Sequence, residues 1–155
     1  MTTNNRHILL LDDDYVSMAP LKEVLETKFG YQVDLTAAAA LVQRLQQVRY
    51  DLLCVDIMIH PKSLDGAGQE VDNLHFTDTN WQLTGLAFLK NFRNGAFSSA
   101  DGAGTSPRTP VIVLSAVAEN SVDEVAALGG ANTRHIEKPF NLAQLIRTMH
   151  ELMGV

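Results

Sequence analysis

The chain lacks the features that staple small proteins together or send them elsewhere. It has one cysteine in 155 residues, so no internal disulfide can form and stability must come from an apolar core. That cysteine, Cys54, lies inside an apolar run, where a buried inert thiol is expected. Runs of lysine and arginine are absent. With 12 basic against 18 acidic residues the net charge is -6, which argues against nonspecific binding to nucleic acid or an anionic membrane. Long hydrophobic stretches are missing too. The first apolar run follows a polar start, Met1 to Arg6, and ends at Leu11 in three aspartates, so it reads as neither a signal peptide nor a membrane span. A cytoplasmic protein without membrane or nucleic-acid partners is the expectation.

What is present is the makings of a core. Hydrophobic residues are 46% of the chain and charged residues 19%, in a length typical of one domain. Short apolar runs alternate with stretches of helical period, the pattern of a parallel sheet covered by helices on both faces. The expected strands are His7 to Leu11, Tyr31 to Leu35, Asp51 to Asp56, Val111 to Leu114 and Arg134 to Glu137. Between them, helices are expected up to about Lys28, around Leu41, Leu45 and Val48, around Leu86, Leu89 and Phe92, and from about Asn120 to Leu128 before Gly129-Gly130. Asn141 should cap a last helix whose Leu142, Leu145, Ile146, Met149 and Leu152 form one stripe. Two connections exceed ordinary loop length: 61–84, of mixed polarity, and 93–109, rich in small residues and read as a flexible surface loop.

In a parallel sheet every strand end opens onto one edge, where ligands bind. Strand one here ends in Asp12-Asp13-Asp14, strand three in Asp56, strand four in Ser115 and strand five in Lys138-Pro139. A single aspartate at a strand end is usually a turn or a cap, and Asp14 fits the N-cap of the first helix. Competent groups at four ends together are harder to obtain by accident. Clustered carboxylates repel and hold their protons unless a cation joins them. Mg²⁺ takes oxygen ligands and is commonly held by one or two carboxylates plus a phosphate. An acidic pocket with one lysine therefore suits phosphoryl transfer, with Asp12 and Asp13 as metal ligands and Asp56 as the nucleophile that becomes an aspartyl-phosphate.

The stretches "ILLLDDD" at 8–14, "YDLLCVDIMI" at 50–59, "TGLAFLK" at 84–90, "PVIVLSA" at 110–116 and "HIEKPFN" at 135–141 resemble a response regulator receiver domain. That resemblance spans nearly the whole chain and implies a flavodoxin-like, doubly wound five-stranded sheet of order 2-1-3-4-5. It implies that Asp56 accepts a phosphoryl group and that Asp12, Asp13, Asp56 and the Met58 backbone carbonyl hold Mg²⁺. Ser115 would hydrogen-bond the phosphoryl oxygens, Lys138 would pair with them, and Pro139 is the candidate for a cis peptide. The donor would be a sensor histidine kinase, a phosphotransfer protein or a small phosphodonor. Activation would repack the last strand and its neighbouring helices in a two-state switch. The protein would then be no enzyme beyond its own phosphorylation and dephosphorylation. With the last helix ending near Val155 and no output domain expected, a stand-alone receiver would act by contact with a downstream protein, and a second copy of the chain is a further candidate partner.

Two departures from the family pattern stand out. His135 occupies the place of the switch aromatic, so the switch is either modified or loosened. Some twenty extra residues, by ordinary loop lengths, separate Pro61 from Gly85, which should open the third helix. They leave from beside Asp56, as a lid or a partner-docking loop, with Phe76 and Trp81 as expected anchors. His60 and His75 with nearby acids make a weaker candidate for a second metal site, since their spacing fits no ligand pattern. The alternative to a phosphorylatable receiver is a divergent module that binds without taking phosphate. A Mg²⁺-dependent phosphatase is a third reading, opposed by Met58 where such enzymes commonly carry a second acid.

Overall fold

A computed structural model describes residues 5–64, 67–116 and 132–155. Five strands, β1 (His7–Leu11), β2 (Gln32–Thr36), β3 (Leu52–Asp56), β6 (Val111–Ser115) and β7 (Thr133–Glu137), form one parallel sheet in the order β2-β1-β3-β6-β7. The order is consistent with a flavodoxin-like fold. Four described helices complete it: α1 (Tyr15–Phe29), α2 (Leu41–Gln47), α3 (Thr84–Arg93) and α4 (Leu142–Met153). The helix expected between about Asn120 and Leu128, with Gly129-Gly130 after it, lies outside the described residues.

Alternation along the strands sorts the core into two layers. Leu9, Leu11, Leu53, Val55, Val111 and Val113 pack with Leu41 and Leu45 of α2 and Leu86, Phe88 and Phe92 of α3. Ile8, Leu10, Leu52, Cys54, Ile112 and Leu114 pack with Met18, Leu21 and Leu25 of α1 and Leu145 and Met149 of α4. β3 and β6 are buried at all five positions each, as strands covered on both faces must be. The helix ends follow local chemistry. Asp14 accepts from the Ser17 amide at 3.2 Å, Asn141 accepts from the Gln144 amide at 3.0 Å, and Gly30 closes α1 in the left-handed region at φ 72°.

Both long connections differ from the expectation of loops. Within 61–84, β4 (Lys62–Leu64) and β5 (Glu70–Asp72) pair antiparallel, with Ser63 opposite Val71. A 3-10 turn follows at Trp81–Leu83. Strands of three residues with mixed polarity carry no countable period, which is why they escape a sequence reading. The hairpin is seated by Asn73 and Leu74, both buried, through an antiparallel bridge between Ala38 and Asn73. The Leu74 amide donates to the Ala37 carbonyl at 2.8 Å, and the Ala39 amide to the Asp72 carbonyl at 3.0 Å. Phe76 packs against the core as expected. Trp81 does not bury itself: it stays 37% exposed and lies against His60, ring centroids 5.2 Å apart.

The 93–109 segment is tied down, contrary to its small-residue composition. Phe97 enters the core and stacks on Phe88 at 5.4 Å. Gly104 lies so close to the end of α2 that a Cβ there would meet the Leu45 carbonyl oxygen at 2.3 Å. Thr105 donates its amide to the Leu45 carbonyl at 2.8 Å and its hydroxyl to the Val48 carbonyl at 2.6 Å, and accepts from the Tyr50 amide at 3.0 Å. Arg93 donates to the Pro107 and Thr109 carbonyls at 2.8 and 2.6 Å.

Candidate functional site

Parallel strands β1, β3 and β6 end side by side, with Leu11 opposite Val55 and Asp56 opposite Leu114. The residues just beyond or at these ends converge. Asp12 and Asp56 are buried, Asp13 is half-buried, and carboxylate oxygens of all three lie within 4.8 Å of one another. Lys138, following β7, donates its Nζ to Asp12 Oδ2 at 3.0 Å and to Asp56 Oδ2 at 3.1 Å. The lysine is held in turn by its backbone amide, which donates to the Ser115 carbonyl at 2.8 Å.

Backbone amides orient each acid. Asp12 Oδ1 accepts from the Asp14 amide at 2.9 Å, Asp13 Oδ2 from the His60 amide at 2.9 Å, and Asp56 Oδ1 from the Met58 amide at 3.2 Å. Gly85 lets α3 start directly beside the end of β3. Its amide donates to the Ile57 carbonyl at 2.8 Å, and a Cβ at this position would meet the Asp56 carbonyl oxygen at 2.2 Å.

The electrostatics are those of a pocket short of positive charge. Burial, and then the charge of Asp56, push Asp12 up to about 7 against the opposing pull of Lys138. Burial also raises Asp56, with the Lys138 ammonium and the Met58 amide working against it. For Lys138, burial works against the charged form, but the two carboxylates outweigh it and raise its pKa. One ammonium thus pairs with two of the three carboxylates. The donor set is oxygen alone, as a hard divalent cation requires, so these residues fit Mg²⁺. Among the described residues nothing donates to the Met58 carbonyl.

The remaining expected residues are placed as follows. Ser115 is buried at the end of β6, one residue past the partner of Asp56. The Lys138-Pro139 peptide is cis. His135 lies on β7 opposite Val113, half-buried, its Nε2 buried with no hydrogen-bond partner among the described residues, and burial lowers its pKa. It belongs to the sheet, and among the described residues it makes no hydrogen bond or ion pair with the carboxylates. Cys54 is buried, and its thiol is pushed well up by burial and then by Asp12. His60 and His75 form no cluster of three potential metal ligands with nearby acids; among the described residues Asp12, Asp13 and Asp56 alone do so. Sequence reasoning missed Asn73, which is fully buried and donates Nδ2 to the His60 carbonyl at 2.8 Å and to Ser63 Oγ at 2.9 Å. An asparagine in a polar loop gives no composition signal that it is buried.

No protein-family model and no curated protein matches the sequence. Solved structures do match the fold. The receiver domain of a Francisella response regulator superposes with a TM-score of 0.66 at 20% identity, covering 97% of this chain and 98% of that one. A CheY-like receiver domain protein from Methanospirillum hungatei gives 0.67 at 19% identity, covering 97% and 95%. The receiver domain of a Pseudomonas aeruginosa sensor histidine kinase gives 0.63 at 24% identity, covering 97% and 99%, and carries a magnesium ion in its active site cleft. The chain therefore has the receiver-domain fold over nearly its full length. No described helix is long and apolar enough to cross a membrane.

Proposed function

We propose that the protein is a response regulator receiver that takes a phosphoryl group on Asp56 in a Mg²⁺-dependent reaction and signals by protein contact. The observation that supports this best is the cluster of Asp12, Asp13 and Asp56 carboxylates at the open edge of the sheet, two of them paired with Lys138. The phosphodonor is a sensor histidine kinase, a phosphotransfer protein or a small acyl phosphate. The magnesium-bearing Pseudomonas domain supports the same chemistry by likeness of fold.

Asp12, Asp13, Asp56 and the Met58 carbonyl would hold the metal, which when bound supplies the positive charge that the carboxylates and the phosphoryl oxygens need. An Asp56 carboxylate oxygen attacks phosphorus, and the bond from phosphorus to the leaving group breaks. The leaving group keeps the electron pair: an acyl phosphate releases a carboxylate, and phosphohistidine releases an imidazole whose nitrogen is protonated from solvent. The Lys138 ammonium, already within hydrogen-bond distance of Asp56, pairs with the transferred oxygens, and the Ser115 hydroxyl at the neighbouring strand end donates to them. Met58 and Asp14 amides keep Asp56 and Asp12 turned toward the pocket.

Incubation with Mg²⁺ and acetyl phosphate, read by intact mass, tests the reading. One phosphoryl adduct on the wild type and none on Asp56→Asn is the expected result; no adduct on the wild type, or one that survives in Asp56→Asn, refutes it.

A further inference from the structure

The inserted hairpin is anchored at two places. It runs from the site to the far side of β1 and takes its seat on the chain after β2. A continuous set of hydrogen bonds links the two ends. The Asp13 carboxylate accepts from the His60 amide at 2.9 Å, the His60 carbonyl accepts from Asn73 Nδ2 at 2.8 Å, and the Pro61 carbonyl accepts from the Asn73 amide at 2.8 Å. Asn73 is bridged to Ala38 and followed by Leu74, whose amide donates to the Ala37 carbonyl. Asn73 is fully buried, so its two side-chain donors have no water to replace lost partners, and the peptide from His60 to Pro61 is held at both carbonyls.

We infer that the hairpin is a brace for the metal pocket, with Asn73 as the positioning residue that holds the His60 amide against Asp13. The inference rests on the reading of Asp12, Asp13 and Asp56 as a Mg²⁺ site. Asp13 is the least buried of the three acids, and its Oδ2 accepts from the His60 amide, which fixes the orientation of the carboxylate. Groups that orient a ligand in this way typically change metal affinity by about 10- to 100-fold when removed. Coupling is reciprocal: if the seated hairpin favours the assembled pocket, a bound ion favours the seated hairpin by the same factor. Lys62 makes that second half measurable. It opens β4, is exposed, and pairs with Glu70 across the hairpin at 3.1 Å, so trypsin reaches it when the hairpin lifts.

Two measurements on the full chain test the brace with Mg²⁺ alone as the probe. Calorimetric titration should show Mg²⁺ binding to the wild type roughly tenfold tighter than to Asn73→Ala. Asn73→Asp, which keeps the size and removes the side-chain amide donors, should fall with it, and covers the case in which the alanine variant does not fold. Trypsin cleavage at Lys62, read by mass, should slow on adding Mg²⁺ to the wild type and lose that dependence in the variants. Equal Mg²⁺ affinity in a folded Asn73 variant, or wild-type cleavage at Lys62 that saturating Mg²⁺ leaves unchanged, overturns the brace. A wild type that binds no Mg²⁺ overturns the brace and the proposed function together. A wild type that binds Mg²⁺ and forms no adduct with acetyl phosphate overturns the function alone, and the Asn73 comparison still decides the brace.

Discussion

The two long connections sit at opposite edges of one sheet and are built on opposite principles. The 61–84 segment leaves the edge where β3 ends, and its ties are to the site: the His60 amide on Asp13, the Asn73 side chain on His60. Segment 93–109 spans the edge where β3 and β6 begin, and its ties are to the framework: Thr105 on the end of α2 and the start of β3, Phe97 in the core, Arg93 across its base. Both are held by backbone–backbone hydrogen bonds together with a buried polar side chain in each, Asn73 and Thr105. The difference is what those bonds are attached to. Loosening one edge should disturb chemistry, and loosening the other should cost stability and leave chemistry intact.

A pair of glycines puts this to the largest test. Gly85→Ala drives a Cβ into the Asp56 carbonyl and Gly104→Ala drives one into the Leu45 carbonyl. Each should cost about 3 kcal/mol in urea unfolding. At temperatures where both remain folded, Gly85→Ala should also slow acetyl phosphate labelling roughly 100-fold, because a shift near 1 Å at the reacting strand is enough for that, while Gly104→Ala should label at the wild-type rate. Equal labelling by the two would break the comparison.

The second test is pH. A carboxyl raised in the folded state binds its proton more tightly there than in the unfolded chain. Without metal, Asp12 therefore makes stability fall as pH rises from about 4 to about 7, and the loss levels off above. Relative to Asp12→Asn the loss should show as a fall in unfolding free energy across that pH range, and Mg²⁺ should offset it most above pH 7. A change at the far edge should shift the curve without altering this slope. Thr105→Ala is that change. It strands the buried Tyr50 amide and the Val48 carbonyl at a cost of about 1.5 kcal/mol, with Mg²⁺ affinity as in the wild type. Smallest of all is Lys62→Ala. Its ion pair with Glu70 is surrounded by water, so thermal unfolding should not move measurably.

What could be read in the sequence follows the same division. The main sheet was legible because its strands are apolar runs that end in charge: "ILLL" before Asp12 and "LLCV" before Asp56 leave little choice of edge. Asp12, Asp13, Asp56 and Lys138 are brought together in space from three such ends. The hairpin was illegible because β4 and β5 are three residues each and mostly exposed, so neither hydrophobicity nor period marks them. The far-edge segment was misread for a different reason. Gly104 and Thr105 are buried through backbone proximity, and small or polar residues that are buried that way look the same in sequence as residues of a free loop. His135 was legible as an oddity only. Its position on β7 is clear, but a histidine in an apolar slot has no pattern to predict its partners.

One contact gives the protein an optical property of its own. The chain holds a single tryptophan, and its indole rests on the ring of His60, whose amide touches Asp13. All indole emission from this protein therefore originates two contacts away from the acidic pocket, with no second fluorophore of that kind to dilute it. Ultraviolet excitation at the red edge of the aromatic band turns the unmodified polypeptide into its own dye, reporting from the neighbourhood of Asp13 without label, tag or mutation.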